Sequence, residues 1–255
     1  MEMKIQFLGT GTSQGVPVIA CNCEVCTSSD PRDDRTRTSA RIFVDGQAWV
    51  IDTGPDFRQQ MLRAKADQLD AVLLTHEHMD HITGMDDVRT FNFLHERSMP
   101  IYANRATLKA IERVYSYVFT AKRYPGVPVL DLKEIKDEPF MVNEVEVIPI
   151  NVLHMNMPVL GFRIGDLTYI TDANYISDEE LEKIKGSKIL VLNALRKEKH
   201  ISHFNLQEAI DLSRRVGAER TYLTHISHYL GKHEEVSAEL PEGVFLAYDG
   251  LSVPI

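Results

Sequence analysis

The chain has 255 residues, of which 44% are hydrophobic, and this composition is sufficient for one large globular domain. Its formal net charge is −9, from 28 basic and 37 acidic residues, so a general nucleic-acid-binding surface is not indicated. No apolar stretch approaches the roughly 18–20 residues of a membrane span, and the N-terminal residues lack a signal-peptide pattern.

The first predicted elements are a strand and a glycine-rich loop. Residues 4–8 alternate between polar and apolar side chains, as in a strand, and residues 9–17 contain three glycines and a proline, which indicate a tight loop. The loop lacks the lysine of a Walker motif and is not followed by a clear helix. We therefore expect its backbone to pass close to a functional site.

All three cysteines of the chain follow within six residues, as Cys21, Cys23 and Cys26. This clustering excludes a disulfide framework and predicts a reducing, cytoplasmic location. Three thiolates at these spacings can surround one face of a tetrahedral zinc ion, which then needs a fourth ligand from elsewhere. We interpret residues 15–35 as a structural-zinc loop, with three ordinary loop cysteines as the alternative.

A mixed-charge stretch and a hairpin come next. Most of residues 30–41 are interpreted as a solvated connection, in which one arginine could meet a substrate anion. Residues 40–44 and 47–51, joined by an Asp-Gly turn, predict a β-hairpin. The hairpin ends at Asp52, which could orient a ligand imidazole through a hydrogen bond or could only cap the turn.

Residues 75–81 contain the densest group of candidate metal ligands, with three histidines and two carboxylates. They follow the apolar run of residues 71–74, which predicts a short buried strand. Because His76 and His78 are two residues apart, an extended strand end directs both to one side, whereas Asp80 and His81 leave in another direction as the chain enters a helix. Imidazole and carboxylate suit divalent ions such as Zn²⁺ and Mn²⁺, and this geometry favours two ions over one.

Further strands also end in candidate ligands. The strand of residues 144–150 leads to His154, a hairpin around residues 165–166 ends at Asp172, and the strand of residues 221–224 ends at His225. Pro149 cannot donate to a ladder, so it should lie at a sheet edge or bulge. Four strands that end in this way, together with residues 75–81, are hard to assign to chance.

The remaining elements complete an α/β chain. Helices are predicted at residues 57–66 and 106–118, and a buried strand at residues 188–195. Asn205 can cap a further helix, with Glu208 in the position of a capping box. Strands both alternate with helices and form hairpins, so the sheet should be mixed, and we expect one domain over residues 1–255.

These residues, in this order, resemble the metallo-β-lactamase fold superfamily over essentially the whole chain. The resemblance implies an αββα sandwich of two mixed β-sheets flanked by helices. The residues that carry it are Asp52, His76, His78, Asp80, His81, His154, Asp172 and His225.

A closer resemblance is to the phosphoribosyl 1,2-cyclic phosphate phosphodiesterase family of phosphonate breakdown. Residues 9–17, the three cysteines and the pair His225 and His228 carry it. It implies that Cys21, Cys23, Cys26 and His228 hold a structural zinc, and that His203, which precedes a helix, is catalytic. Three other histidines match nothing in that family and are expected on the surface, namely His95, His200 and His233.

The resemblance also assigns roles at a site with two divalent ions, zinc or manganese. His76, His78 and His154 would bind one ion, Asp80, His81 and His225 the other, and Asp172 would bridge them. A metal-bridging hydroxide would then open a small cyclic phosphodiester, with His203 and Asp80 as catalytic residues. A homodimer would fit the same resemblance.

Other functions on this fold stay open at this stage. A thioesterase of the glyoxalase II type ordinarily adds a C-terminal helical domain, and a tRNA 3′-processing nuclease normally adds a long tRNA-gripping arm. A flavodiiron-type oxidoreductase usually has Glu where His78 stands. A non-hydrolytic binding or carrier homologue could keep the cysteine zinc and lose the catalytic metals, but the complete set of ligands argues against it.

Overall fold

Two β-sheets pack face to face in a computed structural model that describes residues 2–121 and 124–255. The first sheet has the order β15-β1-β2-β3-β4-β5-β6, with antiparallel pairing from β15 to β3 and parallel pairing from β3 to β6. Its strands are β1 Met3–Gly9, β2 Ser39–Val44, β3 Gln47–Ile51, β4 Ala71–Leu73, β5 Met99–Ala103, β6 Leu130–Glu134 and β15 Ser252–Pro254.

The second sheet also combines antiparallel and parallel strand pairs. Its order is β11-β8-β9-β10-β12-β13-β14, with antiparallel pairing up to β10 and parallel pairing beyond it, and β7 adds to the start of β8. Its strands are β7 Phe140–Val142, β8 Val145–His154, β9 Met157–Ile164, β10 Leu167–Tyr169, β11 Tyr175–Ile176, β12 Ile189–Asn193, β13 Arg220–Thr224 and β14 Val244–Leu246.

Helices cover the outer face of each sheet, so the layers follow the αββα order that the resemblance implies. One apolar cluster fills the space between the sheets and includes Trp49 and Phe162, while separate clusters lie under the helices of each sheet. The α-helices are α1 Phe57–Arg63, α2 Met79–Ile82, α3 Arg89–His95, α4 Arg105–Val114, α5 Asp178–Ile184, α6 Leu206–Val216 and α7 His233–Glu239. Short 3-10 helices occupy Pro31–Asp33, Met85–Val88 and Ser116–Phe119. No helix in the described ranges is long and apolar enough to cross a membrane.

Several local predictions are confirmed. Strands β2 and β3 form the predicted hairpin. Pro149 lies where β8 is open on one side, because β7 pairs with residues 145–147 and β11 pairs with residues 152–153. Helix α6 has the predicted capping box between Asn205 and Glu208, and it ends at Gly217 with a φ of 71°.

The interpretation of residues 30–41 as solvated is wrong for two arginines. Arg35 and Arg41 are each only 3% exposed. The Arg35 guanidinium donates to Thr10 Oγ1 at 2.9 Å and to the Ala247 carbonyl oxygen at 2.6 Å. Arg41 lies over the Phe43 ring at 4.4 Å. Distant groups in the chain accept from the Arg35 guanidinium, which offsets the cost of its burial. Arg41 Nη2 donates to the Gln68 carbonyl oxygen at 2.9 Å, whereas its Nε has no hydrogen-bond partner among the described residues.

The surface assignment of His233 is also wrong. Its side chain is 5% exposed, its Nδ1 lies 3.1 Å from Arg35 Nη2, and its backbone N–H donates to Asp33 at 2.7 Å. Burial and the nearby Arg35 lower the pKa of His233 to about 4. His95 and His200 are half-buried.

The capping box of α6 gives a test of local stability. Asn205 accepts a hydrogen bond from the Glu208 backbone N–H at 2.8 Å, and Glu208 accepts one from the Asn205 backbone N–H at 3.0 Å. We expect Asn205→Ala to lower the free energy of unfolding by about 1 kcal/mol, measured by urea denaturation. Gln207→Ala, at an exposed position of the same helix, is the control and should change it little. Equal stabilities of the two variants would contradict this role of the cap.

Candidate metal centre

The predicted site residues converge at the edge of the sandwich where strands of both sheets end. Asp52 follows β3, His154 ends β8, and His225 follows β13. Asp52, Asp172 and His225 all adopt left-handed backbone conformations, with φ of 63°, 56° and 54°. Such conformations cost about 1 kcal/mol or more each for a residue with a side chain. The chain therefore turns sharply at each of these three positions.

Close backbone packing holds the helix that contains Asp80 and His81. A Cβ atom at Gly54 would collide with the backbone oxygen of Asp80, and one at Gly84 would collide with the backbone oxygen of Gly54. The Thr53 backbone N–H also donates to the His81 carbonyl oxygen at 2.8 Å. Glycine is needed at both positions so that helix α2 can approach the turn after β3.

Asp172 lies at the centre of the site with four imidazoles around its carboxylate. Its Oδ2 lies 3.4 Å from His81 Nε2, 3.6 Å from His76 Nε2 and 3.7 Å from His203 Nε2, while Oδ1 lies 2.8 Å from His225 Nδ1. Asp172 is 2% exposed. Burial raises its pKa, but the neighbouring His225 and His81 outweigh burial and hold the pKa well below its usual range.

Three ligand candidates each bind through Nδ1 to an oxygen outside the cluster. His76 Nδ1 lies 2.9 Å from Thr75 Oγ1, His81 Nδ1 lies 2.7 Å from Asp52 Oδ2, and His154 Nδ1 lies 2.8 Å from the Ser202 carbonyl oxygen. Thr75 Oγ1 itself donates to Asp52 at 2.8 Å, so it accepts from His76. These partners put the proton on Nδ1 and leave the lone pair of each Nε2 available to a cation.

The donor arrangement fits a cationic group. Among the described residues, His76 Nε2, His81 Nε2 and His203 Nε2 are buried nitrogens without a hydrogen-bond partner. Buried polar atoms normally have partners, so three such nitrogens beside one carboxylate indicate that something else binds there. Imidazole and carboxylate are the donor set of divalent transition-metal ions, so the site has the chemistry that such ions require.

Two groups of donors share Asp172. One joins it with His76 and His78, and the other joins it with His81 and His225. Asp80 Oδ2 lies 3.2 Å from His81 Nε2, which places it at the second group. His154 falls in a third group, with Asp172 and His203, and its ring centroid lies 5.2 Å from that of His78. The structure therefore brings together the residues that we predict at this site from the sequence.

His225 has two threonine neighbours that the sequence did not predict. Thr12 Oγ1 lies 3.1 Å from His225 Nε2, and Thr38 Oγ1 lies 3.1 Å from Nδ1. Thr12 belongs to the loop of residues 9–17, which does pass close to the site. No pattern in the sequence distinguishes these two threonines from others.

The three cysteines meet His228 in a second cluster. Each Sγ lies 3.4 Å from His228 Nδ1. A tetrahedral zinc ion at about 2.3 Å from sulfur and about 2.0 Å from nitrogen would separate these atoms by about 3.5 Å. A hydrogen bond from the Cys26 backbone N–H lowers the pKa of the Cys23 thiol to about 6, whereas burial raises that of Cys26 to about 11. The spacing suits one zinc ion.

The contacts of Asp52 predict an effect on metal affinity. We expect Asp52→Asn to weaken divalent-metal binding about 10–100-fold, because the His81 ring loses the carboxylate that orients it. Competition with a chromogenic chelator would measure the affinity. Asp70→Asn is the matched control, since Asp70 is also buried and accepts a backbone N–H, from Ala48, but lies away from the cluster. Equal metal affinities in the two variants would contradict the role of Asp52.

The cysteine cluster predicts a tightly held zinc ion. We expect Cys23→Ser to lose about one zinc per chain and to give less folded protein, because three donors hold the ion less well than four. Elemental analysis after mild chelation and thermal unfolding would measure both. Glu24→Gln, in the same loop, should retain the zinc. Full zinc content and stability in Cys23→Ser would refute the proposed site.

Comparison with known proteins places this fold and site in a family. The sequence profile described as "Beta-lactamase superfamily domain" matches residues 48–226. The crystal structure of a new diphosphatase from the PhnP family has a TM-score of 0.94 and 39% identity, and the match covers 100% of this chain and 98% of that one. Zinc-bound PqqB from Methylobacterium extorquens has the same fold, with a TM-score of 0.72 and 19% identity over 99% of this chain and 100% of that chain.

A curated relative from Porphyromonas gingivalis named octanoyltransferase is 43% identical over 256 aligned residues. The match covers 99% of this chain and 52% of the relative, so this chain spans about half of that protein's length. The profile match covers most of the chain, and the structural match covers all of it. The chain therefore belongs to the beta-lactamase superfamily, close to the PhnP family.

Proposed function

We propose that the chain is a binuclear metal-dependent phosphodiesterase that hydrolyses a small cyclic phosphodiester. The observation that carries this proposal is the buried Asp172 carboxylate. Three histidine Nε2 atoms face it, and none of them has a hydrogen-bond partner within residues 2–121 and 124–255. The full-length likeness to a PhnP-family diphosphatase supports phosphoryl chemistry at a site of this kind. The hydrolase would occupy a single domain over residues 1–255.

We assign the two ions to the two donor groups. His76, His78 and His154 would hold one ion, Asp80, His81 and His225 would hold the other, and Asp172 would bind both. The ions, zinc or manganese, would lower the pKa of water toward neutrality and offset the negative charge of the phosphoryl oxygens. Asp52 and Thr75 keep the rings of His81 and His76 in the tautomer that presents Nε2.

His203 would supply the proton for the leaving oxygen. Its Nε2 is buried, has no hydrogen-bond partner among the residues that the structure describes and lies 3.7 Å from Asp172 Oδ2, so it faces the position where the phosphoryl group would bind. Its ring stacks on that of His225 with centroids 4.9 Å apart. A ring in this position can donate from Nε2 to an alkoxide that leaves as the P–O bond breaks.

A diphosphate is the second candidate substrate. The relative with 39% identity is named a diphosphatase, and its likeness extends over the whole chain. Phosphodiesters and diphosphates both require cleavage of a P–O bond and offset of phosphoryl charge, so the same metal centre would serve either. The difference lies in the leaving group, an alkoxide for the diester and a phosphate for the diphosphate.

Octanoyl transfer is less well supported at this site than phosphoryl transfer. The relative with that name is about twice as long as this chain, and we attribute the transfer to the half that this chain does not match. Hydrolysis of an octanoyl thioester remains a distinct reaction that this fold could support. An octanoyl thioester is therefore the third class of compound to test as a substrate.

Phosphorus NMR of the metal-loaded protein would test the proposal. With phosphoribosyl 1,2-cyclic phosphate, we expect the cyclic signal to be replaced by that of a phosphomonoester in the wild type and not in Asp172→Ala. His203→Ala should keep its metal content and lose about 10²–10⁴-fold in turnover, the usual contribution of a proton donor.

Other results would redirect or reject the proposal. Cleavage of a nucleoside diphosphate ester but not of the cyclic diester would replace the first substrate class with the second. Cleavage of neither, with both ions bound, or of the octanoyl thioester alone, would reject phosphoryl transfer. Normal turnover in His203→Ala would remove this residue from the mechanism.

A further inference from the structure

His200 has no match in the family motifs, yet it lies directly behind His203. The Nδ1 atoms of the two rings are 3.2 Å apart, and the ring centroids are 5.2 Å apart. Ser202 Oγ lies 2.9 Å from His203 Nδ1 and 3.1 Å from His200 Nδ1. Ser202 and His203 are buried, and His200 is half-buried. The three side chains therefore form one hydrogen-bonded group on the side of His203 that faces away from Asp172.

The directions of these hydrogen bonds follow from the donors available. The Ser202 backbone N–H can only donate, and it lies 3.4 Å from His200 Nδ1, so this nitrogen acts as an acceptor. It can then accept the Ser202 hydroxyl proton as well, which leaves Ser202 Oγ to accept from His203 Nδ1. If His203 donates directly to His200 instead, its proton is again on Nδ1. Both arrangements give the same tautomer of His203. A Ser202 hydroxyl that donated to His203 Nδ1 instead would give the other tautomer, and would leave His200 Nδ1 with the long 3.4 Å contact from the Ser202 backbone N–H.

We propose that His200, acting with the Ser202 hydroxyl, is a positioning residue that keeps the proton of neutral His203 on Nδ1 and directs Nε2 at the Asp172 carboxylate. This inference rests on the proposed function of His203. The arrangement matches the general logic in which a third group orients a catalytic imidazole by accepting from its far nitrogen.

The tautomer determines which nitrogen exchanges the proton with substrate. In the doubly protonated ring, Nδ1–H stays bonded to Ser202 or His200, and Nε2–H is free to donate. As the P–O bond breaks, the Nε2 proton moves to the leaving oxygen, which keeps the electron pair of the bond. The neutral ring, still protonated on Nδ1, then takes a proton from water at Nε2. Without the two acceptors, the ring can rotate or carry its proton on the wrong nitrogen.

Three variants separate positioning from a structural effect. His200→Leu removes the acceptor, Ser202→Ala removes only the hydroxyl and keeps the carbonyl that holds His154, and His200→Asn restores a short polar side chain near the position of Nδ1. His95→Leu, at a half-buried histidine outside the site, is the matched control. Metal content should equal that of the wild type in all four.

The kinetic test compares turnover of two substrates that differ in their leaving groups. With a diester that expels an alkoxide, we expect kcat of His200→Leu and Ser202→Ala to fall about 10–100-fold, part of the full contribution of a proton donor, with KM within about twofold. With a p-nitrophenyl diester, whose leaving group needs no proton, the loss should be below about threefold. His200→Asn should recover most of the lost kcat.

A spectroscopic readout is independent of turnover. Long-range ¹H–¹⁵N spectra of zinc-loaded protein labelled at histidine should show His203 as the Nδ1–H tautomer in the wild type and in His95→Leu. His200→Leu and Ser202→Ala should lose that pattern. An Nε2–H tautomer of His203 in the wild type would overturn the proposal.

The outcomes also distinguish this proposal from the proposed function. If His203→Ala loses alkoxide-expelling turnover while His200→Leu and Ser202→Ala keep it, the positioning role is refuted and the function stands. If His203→Ala keeps full turnover, the proton-donor role fails, and the ¹⁵N spectra alone decide the tautomer. Equal losses with both leaving groups would indicate a structural effect and would overturn positioning.

Discussion

The buried carboxylate of Asp172 sets the main constraint on this structure. Four imidazole nitrogens lie within 3.7 Å of it, and three of them have no hydrogen-bond partner in the part of the chain that the structure describes. Removing so many polar groups from water is costly unless each is paired, and protein atoms alone do not pair them here. The cluster therefore has the chemistry of a set of donors that would interact with bound cations and, at His203, with a substrate.

His81 connects this carboxylate to the other half of the sandwich. Its Nδ1 binds Asp52, which follows a strand of the first sheet, and its Nε2 faces Asp172, which follows a hairpin of the second. The same ring thus joins the two sheets and orders the site.

The sequence predicts this site well where residue type and spacing carry the information. His76 and His78 alternate at a strand end, and Asp172 and His225 follow apolar runs, so their convergence follows from strands that end at one edge. The hydroxyl partners Thr12, Thr38, Thr75 and Ser202 could not be found in this way, because a hydroxyl gains its role only from the group that folding brings beside it. The burial of Arg35 and His233 cannot be predicted from the sequence for the same reason. Their polar atoms contact each other, and Arg35 also donates to residues distant in sequence.

The cysteine cluster is linked through the backbone to the histidine and aspartate cluster around Asp172. His228, which faces the three cysteines, lies three residues after His225, and the loop between them pairs with the glycine-rich loop. The Ile226 backbone N–H donates to Thr10 O at 2.9 Å, and the Thr12 N–H donates to Ile226 O at 3.1 Å. Thr12 in turn contacts the His225 ring. A zinc ion bound by the cysteines would therefore fix one end of the segment that carries His225, whose left-handed backbone needs such support. On this argument, the zinc would stabilise the geometry of the second donor group without taking part in the chemistry.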